Sequence, residues 1–148
     1  FEATVSTNLG SAFATVQAAA RTMKRGGSVV LVSSAAARLG LPNHEAIAAA
    51  KAGIVGLVLS AAATYAGYGL RINCVAPGLV ETPLTARITG NAMAAKASVA
   101  MHALGRFGTP QEVSSAIEWF LAPEQAWVTG QVLGVDGGLA SARTRPAA

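Results

Sequence analysis

Short apolar runs alternate with long helical patterns along this chain, and that alternation limits the possible folds more than any other feature. Residues 28–34 (SVVLVSS) form a β-branched run that is typical of a strand buried on both faces. A second run follows at 71–75 (RINCV), and a third lies within 129–138 (TGQVLGVDGG). Strands joined by helical crossovers run parallel. The sequence therefore predicts an α/β fold, with a three-layer α/β/α arrangement around a parallel sheet of about three strands.

The helical segments between these runs have recognisable ends. A helix predicted over residues 2–24 stops at a glycine pair, and an alanine-rich helix predicted over 44–67 follows Asn43, its expected N-cap. The sequence TPQE at 109–112 has the threonine, proline and glutamate spacing that begins a further helix. Residues 83–108 are less regular and predict a mobile helical segment.

The composition is that of one packed domain. Hydrophobic residues make up 52% of the 148 residues and charged residues 12%, so a core is expected over residues 1–140, with a loosely held tail at 141–148. The eleven Lys and Arg residues give a net charge of +4, but they form no block interleaved with aromatics, which argues against a nucleic-acid partner. The single cysteine, Cys74, excludes an intrachain disulfide and favours a reducing, cytoplasmic compartment.

Lys51 is the one charged residue between positions 46 and 67, among alanine, glycine and other small residues. This stretch is long enough to cross a membrane, but the lysine interrupts it and large apolar side chains are few. The prediction is a buried helix and no membrane span. Burying a lysine costs free energy unless its charge has a use. The residue one helical turn earlier is Ile47, whose side chain has no proton to exchange.

Six short motifs follow one another along nearly the whole chain. They are TNLGSAF, GGSVVLVSSAAARLG, AAAKAGIVGL, RINCVAPGLVETPLT, GRFGTPQEVSSAIEWF and TGQVLGVDGG. Each is weak alone, but in this order and spacing they resemble the C-terminal half of a short-chain dehydrogenase/reductase. The resemblance implies a Rossmann-type fold, a nicotinamide cofactor (NAD or NADP), and hydride transfer between that cofactor and a carbonyl or alcohol substrate.

The resemblance also implies a catalytic set with one member replaced. The family uses Asn, Ser, Tyr and Lys, and Asn8, Ser34 and Lys51 match three of these positions. The tyrosine position is Ile47, four residues before the lysine on the same helix face. In the family the ammonium lowers the pKa of the phenol, so that the phenol can exchange a proton with the substrate. The lysine also binds the cofactor ribose, and this second role survives without the tyrosine.

Three interpretations of the missing phenol stay open. His44 lies three residues before Ile47 and titrates in a useful range, so it is a possible substitute acid. Ser34 could relay a proton through water held by Lys51 and Asn8. In the third, the chain is a catalytically silent relative that binds a nucleotide or serves as an oligomer subunit.

Further positions match the family's cofactor and substrate regions. Pro77 and Gly78 turn the chain after the second strand, and the absent Cβ of Gly78 leaves room for a close ligand. By resemblance the Val80 backbone meets the nicotinamide carboxamide, and the Thr82 hydroxyl bonds the same end of the cofactor. His102 falls in the expected substrate lid, where lining the pocket and packing are both open.

One part of the family pattern is missing from the sequence. The glycine-rich phosphate loop does not occur in these residues, so the chain is expected to correspond to a partial domain. The resemblance implies a homo-oligomer, a dimer or tetramer, built through the helices at 2–24 and 44–67. The expected small-molecule ligand is a carbonyl or alcohol compound, and no residue cluster suggests a metal site.

Overall fold

The computed structural model describes residues 1–143 and contains one parallel three-stranded sheet. The strands are β1 (Gly27–Val32), β2 (Leu70–Pro77) and β3 (Val132–Val135), and β2 lies between the other two. Leu31 pairs with Cys74 and Val75 with Leu133, so the carboxyl ends of the strands meet at one edge. The predicted α/β fold with a parallel Rossmann-type sheet is confirmed.

Helices cover both faces of the sheet. The longer elements are α1 (Glu2–Val5), a π-helical turn (Ser6–Gly10), α2 (Ser11–Thr22), α3 (Glu45–Tyr65), α4 (Ala86–Thr89), α5 (Ala92–Met101) and α6 (Pro110–Leu121). Short 3₁₀ turns lie at Ala35–Ala37, Ala66–Tyr68, Pro83–Thr85 and Pro123–Gln125. The predicted capping box at 109–112 is present, because Thr109 Oγ1 accepts the Glu112 N–H and the Glu112 carboxylate accepts the Thr109 N–H.

Two helix boundaries and one cap differ from the prediction. The helix expected over 2–24 contains the π-helical turn and ends at Thr22, because Met23 leaves the helical region and its side chain packs on Gly27. The helix expected over 44–67 is helical over Glu45–Tyr65 and continues as a 3₁₀ turn. Asn43 is not its N-cap: this residue has φ 61°, in the left-handed region that asparagine tolerates, and His44 precedes the first helical residue.

The core lies between the sheet and helices α2 and α3. Alternate residues of β1 and β2, such as Leu31 and Ile72, face this layer together with Val16, Ile54 and Val58. On the opposite face, Ser28 Oγ and the Arg71 guanidinium donate to the Phe120 carbonyl at the end of α6, at 3.0 and 2.9 Å. The three layers are therefore present. The part of the predicted tail at 144–148 lies outside the described residues.

Helix α3 also passes a membrane-span test by length and composition. The 24 residues Glu45–Tyr68 are long and apolar enough to cross a bilayer, as core helices of many globular proteins are. Within α3, however, Ile54 and Val58 are buried against the sheet, at 2% and 0% exposure. The absence of a membrane span stays a prediction.

Several apolar surfaces have no cover among residues 1–143. Strand β1 pairs only with β2 there, and Val32 on β1 is 43% exposed. On the helices, Phe13 and Leu59 are 51% and 54% exposed. Unpaired strand edges and apolar faces of this kind favour association.

We expect the chain, produced alone, to elute from a sizing column as a dimer, a larger species or an aggregate. We also expect it to bind NAD(P) weakly, because the phosphate loop is not in its sequence. Light scattering and calorimetry measure both properties. A monodisperse monomer with micromolar affinity for the cofactor would contradict this prediction.

Candidate functional site

The Lys51 side chain and the two serines after β1 meet at the carboxyl edge of the sheet. Lys51 Nζ donates a hydrogen bond to the Val32 carbonyl at 3.0 Å. Ser33 Oγ donates to the Lys51 carbonyl at 2.8 Å, and the Ser33 N–H donates to Val75 O at 2.8 Å. These bonds fix α3 against the ends of β1 and β2. Ligands of open α/β sheets bind at this edge.

The Lys51 ammonium has no carboxylate partner among residues 1–143. Partial burial lowers the pKa of Lys51, because a low-dielectric surrounding penalises its charged form, and an interaction with Cys74 acts in the opposite direction. Burial likewise raises the pKa of the Cys74 thiol, which is enclosed within β2. Burial therefore makes the Cys74 thiol unreactive, whereas Lys51 keeps hydrogen-bonding capacity for an added acceptor.

Ser34 is held by one hydrogen bond, and within the described part of the chain no group accepts its hydroxyl proton. Its Oγ accepts the Ala36 N–H at 3.1 Å and so caps the 3₁₀ turn Ala35–Ala37. Ser33 is 3% exposed and faces α3, whereas Ser34 is half-buried, because successive side chains of an extended chain point to opposite sides. Of the two serines, Ser34 is the one able to donate to a ligand.

Asn8 lies inside the π-helical turn Ser6–Gly10, and its Nδ2 donates to the Thr4 carbonyl at 3.0 Å. The neighbouring Leu9 packs against α3 so closely that a Cβ on Gly53 would lie 2.7 Å from Leu9 Cδ2. Gly53 is two residues after Lys51, about 200° around the helix, so this contact fixes the turn against α3 without bringing Asn8 to the Lys51 ammonium. π-helical turns of this type occur often at functional sites.

Ile47 and His44 occupy the beginning of α3. Ile47 is half-buried and lies one turn before Lys51, on the same helix face. His44 Nδ1 lies 2.8 Å from the Pro42 carbonyl, which can only accept, so this nitrogen carries a proton. The same bond orients the ring and leaves Nε2 as its other functional atom.

The loop at residues 78–85 follows β2 at the same edge, and Thr85 organises it. Thr85 Oγ1 donates to the Val80 carbonyl at 2.6 Å and accepts the Thr82 N–H at 3.0 Å. Thr82 is half-buried, with its hydroxyl 3.1 Å from that of Thr85. Within the described part of the chain, no group accepts the Val80 N–H. This loop therefore presents a backbone donor and a hydroxyl beside the end of β2.

Position 78 must be a glycine for a structural reason that the sequence alone did not show. A Cβ at this position would lie 2.9 Å from Asp136 Cα and 3.0 Å from His102 Nε2. The glycine is therefore required by its protein neighbours, whatever a ligand adds. Asp136 forms a turn, accepting the N–H groups of Gly138 and Ala140 at 3.0 Å each.

Thr85 was missed as a site residue, and the role of His102 was left open between lining the pocket and packing. The Thr82-to-Thr85 spacing around Pro83 is a capping pattern that could have identified Thr85. His102 is buried at 4% exposure and bonds the Leu79 N–H, a contact 23 positions away that no local pattern predicts. The residues 1–143 contain no cluster that could hold a metal ion.

Comparisons with known proteins match nearly the whole chain. A family model described as enoyl-(acyl carrier protein) reductase matches residues 1–140. A 3-oxoacyl-[acyl-carrier-protein] reductase from Thermotoga maritima is 39% identical over 141 residues, covering 94% of this chain and 56% of that protein. A cis-4-hydroxycyclohexanecarboxylate dehydrogenase from Sinomonas cyclohexanicum is 42% identical over 112 residues, covering 76% of this chain and 44% of that protein.

Solved structures match the same region. A short-chain type dehydrogenase/reductase from Mycobacterium ulcerans superposes with a TM-score of 0.88 at 32% identity, covering 92% of this chain and 50% of that one. A structure from Agrobacterium tumefaciens with bound NADP gives a TM-score of 0.84 at 32% identity, with 89% and 55% coverage. The chain thus spans about half the length of the relatives it matches. It belongs to the short-chain dehydrogenase/reductase family.

Proposed function

We propose that this chain provides the substrate side and the nicotinamide side of an NAD(P)-dependent oxidoreductase that interconverts a carbonyl and an alcohol. The observation that supports this proposal is the Lys51 side chain bonded to the end of β1, next to the segment of Ser34, whose hydroxyl proton has no acceptor among residues 1–143. Relatives named as a 3-oxoacyl reductase and a hydroxy-acid dehydrogenase support this reaction class. Within that class, this chain differs by having Ile47 at the position of the family's catalytic tyrosine.

The groups at the sheet edge fit the nicotinamide half of the cofactor. Lys51 supplies a cation and donor for ribose hydroxyls, Val80 a backbone N–H without an acceptor among residues 1–143, and Thr82 a hydroxyl. Pro77 and Gly78 bring this loop to the end of β2. A bound NADP in a similar structure supports the assignment of NAD or NADP. When bound, the cofactor donates or accepts the hydride.

The chain's own residues bind and orient the substrate. Ser34 Oγ, fixed by the Ala36 N–H, donates a hydrogen bond to the substrate oxygen. Ile47 excludes water from its position but transfers no proton. Turnover is therefore slow, with the proton arriving through water held by Lys51 and Asn8 or from His44.

His44 is the candidate substitute acid whose ring is held by a specific hydrogen bond. Its ring is oriented by the Pro42 carbonyl, an arrangement that positioned acids and bases share. A silent subunit is the second candidate function, favoured by one observation: the residue at the proton-donor position, Ile47, has no titratable group.

We further propose a homo-oligomer that forms through the outer faces of α2 and α3. Phe13 and Leu59 are exposed there, and nothing lies within 4 Å of the Cβ position of Gly56, so another helix can approach closely. The single buried Cys74 is consistent with a reducing, cytoplasmic compartment. We expect no nucleic-acid partner.

The test uses a chimera in which the Thermotoga maritima relative's N-terminal half precedes Phe1. We expect calorimetry to detect NADPH or NADH binding, and slow reduction of a 3-oxoacyl thioester or of 4-oxocyclohexanecarboxylate. The N-terminal half alone is the control for binding that does not need this chain. A folded chimera that binds neither dinucleotide more tightly than that half would disprove the proposal.

In the same chimera, His44→Ala separates the open sources of the proton. If His44 is the acid, kcat falls by about 10²-fold, the lower range for a positioned acid or base, while cofactor affinity is unchanged. A water relay through Ser34 leaves the kcat of His44→Ala near that of the parent and makes Ser34→Ala the inactive variant. Absence of turnover in the parent chimera, with intact cofactor binding, assigns the silent role.

A further inference from the structure

His102 joins the end of α5 to the 78–85 loop through both ring nitrogens. Nδ1 lies 2.7 Å from the Ser98 carbonyl, and Nε2 lies 3.2 Å from the Leu79 backbone nitrogen. A carbonyl only accepts and an amide N–H only donates, so Nδ1 carries the proton and Nε2 accepts. Both bonds can exist together only with a neutral imidazole in this one tautomer.

The Leu79 N–H of the loop is bonded by this ring, and the other hydrogen bonds of the loop do not involve that N–H. Leu79 O accepts the Gly108 N–H and Gly108 O accepts the Glu81 N–H, both at 3.0 Å, while Thr85 holds Val80 O. These contacts fix the loop's carbonyls and the Glu81 amide. His102 holds the Leu79 N–H, the residue directly before the proposed cofactor contact at Val80.

Two glycines and one aromatic ring lie against the imidazole. Gly78 and Gly137 face it without side chains, with a Cβ at Gly78 only 3.0 Å from Nε2 and one at Gly137 3.7 Å from its Cβ and Cδ2. Phe107 stacks edge-on, at 6.4 Å between ring centroids and 89° between planes. The ring is 4% exposed, and the Nδ1 bond to the Ser98 carbonyl remains possible when the ring is protonated.

The charged groups on the elements around the ring are committed to other bonds. Asp136, after β3, accepts two backbone N–H groups. Arg106, in the segment before α6, pairs with Glu112 on α6. Both side chains line a cavity of about 300 Å³ that His102 also lines. Lys96 on α5 is exposed, and the segment from Gly78 to Val80 has no titratable side chain. No carboxylate therefore bonds either ring nitrogen.

We propose that neutral His102 is a positioning residue that holds the Leu79 amide, and through it the Val80 donor, and that protonation of its ring releases this loop. Protonation turns Nε2 into a donor that faces the Leu79 N–H donor, so the bond is lost. The link to cofactor binding rests on the function proposed above, because Val80 is assigned there to the nicotinamide end.

The loop itself is tested in the chain without cofactor, by hydrogen–deuterium exchange at the Leu79 amide. We expect exchange in His102→Ala to be about tenfold faster than in the parent at pH 7, the factor for one lost hydrogen bond. His102→Gln, which keeps a neutral acceptor, restores protection. When the solution is acidified, the parent loses protection beyond the intrinsic rate change and His102→Gln does not. Equal exchange in parent and His102→Ala would overturn the proposal.

The functional link is tested in the chimera by dinucleotide affinity. We expect acidification to about pH 5 to weaken NADPH binding about tenfold in the parent and by a smaller factor in His102→Gln. Exchange could behave as expected while NADPH affinity falls equally on acidification in the parent and in His102→Gln. In that case His102 holds the Leu79 amide, but its proposed link to cofactor binding is wrong. If no form binds NADPH, the function proposed above fails, while the exchange result still decides the role of His102.

Discussion

Replacing Ile47 with tyrosine is expected to raise carbonyl reduction in the chimera by about 10²-fold or more. A positioned general acid contributes about 10² to 10⁴ in rate, and the rest of its setting is already present. Position 47 lies one turn before Lys51, whose ammonium has no carboxylate partner among residues 1–143 and would lower the pKa of the new phenol. The measurement is kcat for the 3-oxoacyl thioester, followed as NADPH oxidation.

Ile47→Phe is the matched control, because it adds the aromatic ring without the hydroxyl. We expect the phenylalanine variant to stay at the parent's rate, with a similar melting temperature for both variants. Equal gains from tyrosine and phenylalanine would show that packing, and not a proton donor, limits the parent. No gain from tyrosine in a folded, cofactor-binding chimera would contradict the proposed position of the acid.

Replacing Lys51 with methionine is expected to weaken dinucleotide binding about tenfold to a hundredfold. Hydrogen bonds from charged groups contribute about 1.5–3 kcal/mol, and methionine keeps the apolar stem while removing the ammonium. Lys96→Met is the matched control, since that lysine is exposed on α5. Calorimetry with NADPH and NADH measures the effect, and equal affinities for Lys51→Met and Lys96→Met would exclude Lys51 from the cofactor site.

The same variant has a signature in stability that needs no cofactor. Burial lowers the pKa of Lys51 in the folded chain, so the unfolded chain binds this proton more tightly. The free energy of unfolding then rises with pH, through the interval between the lowered pKa and 10.5. Lys51→Met removes this part of the slope, which denaturation at pH 8 to 10 can detect as a flatter profile.

The order of elements could be predicted because each helix and strand carries its own local signal. The β-branched run at 28–34 became β1, and the TPQE sequence began α6 as expected. The ends were less predictable: β2 extends to Pro77, and α2 stops at Thr22 because Met23 packs on Gly27. The ends of helices and strands depend on contacts between distant segments, and a local sequence pattern carries no information about such contacts.

The candidate site residues could be named where the family resemblance supplies them, but the contacts that join distant segments could not be predicted. Ser34 and Lys51 were expected together, and the bonds from Lys51 to Val32 and from Ser33 to Lys51 bring their segments into contact. The π-helical turn around Asn8 has no sequence marker of its own. The interlock of Gly78, Asp136 and His102 arises only when three segments from different parts of the chain pack together.

A crystal structure of the chimera with NADPH tests the central claim most directly. We expect the Lys51 ammonium at hydrogen-bonding distance, about 3 Å, from a hydroxyl of the nicotinamide ribose. Ser34 and Ile47 are expected to face the open side of the nicotinamide ring. A nicotinamide bound away from the carboxyl edge of the sheet, with Lys51 contacting no part of the dinucleotide, would contradict it.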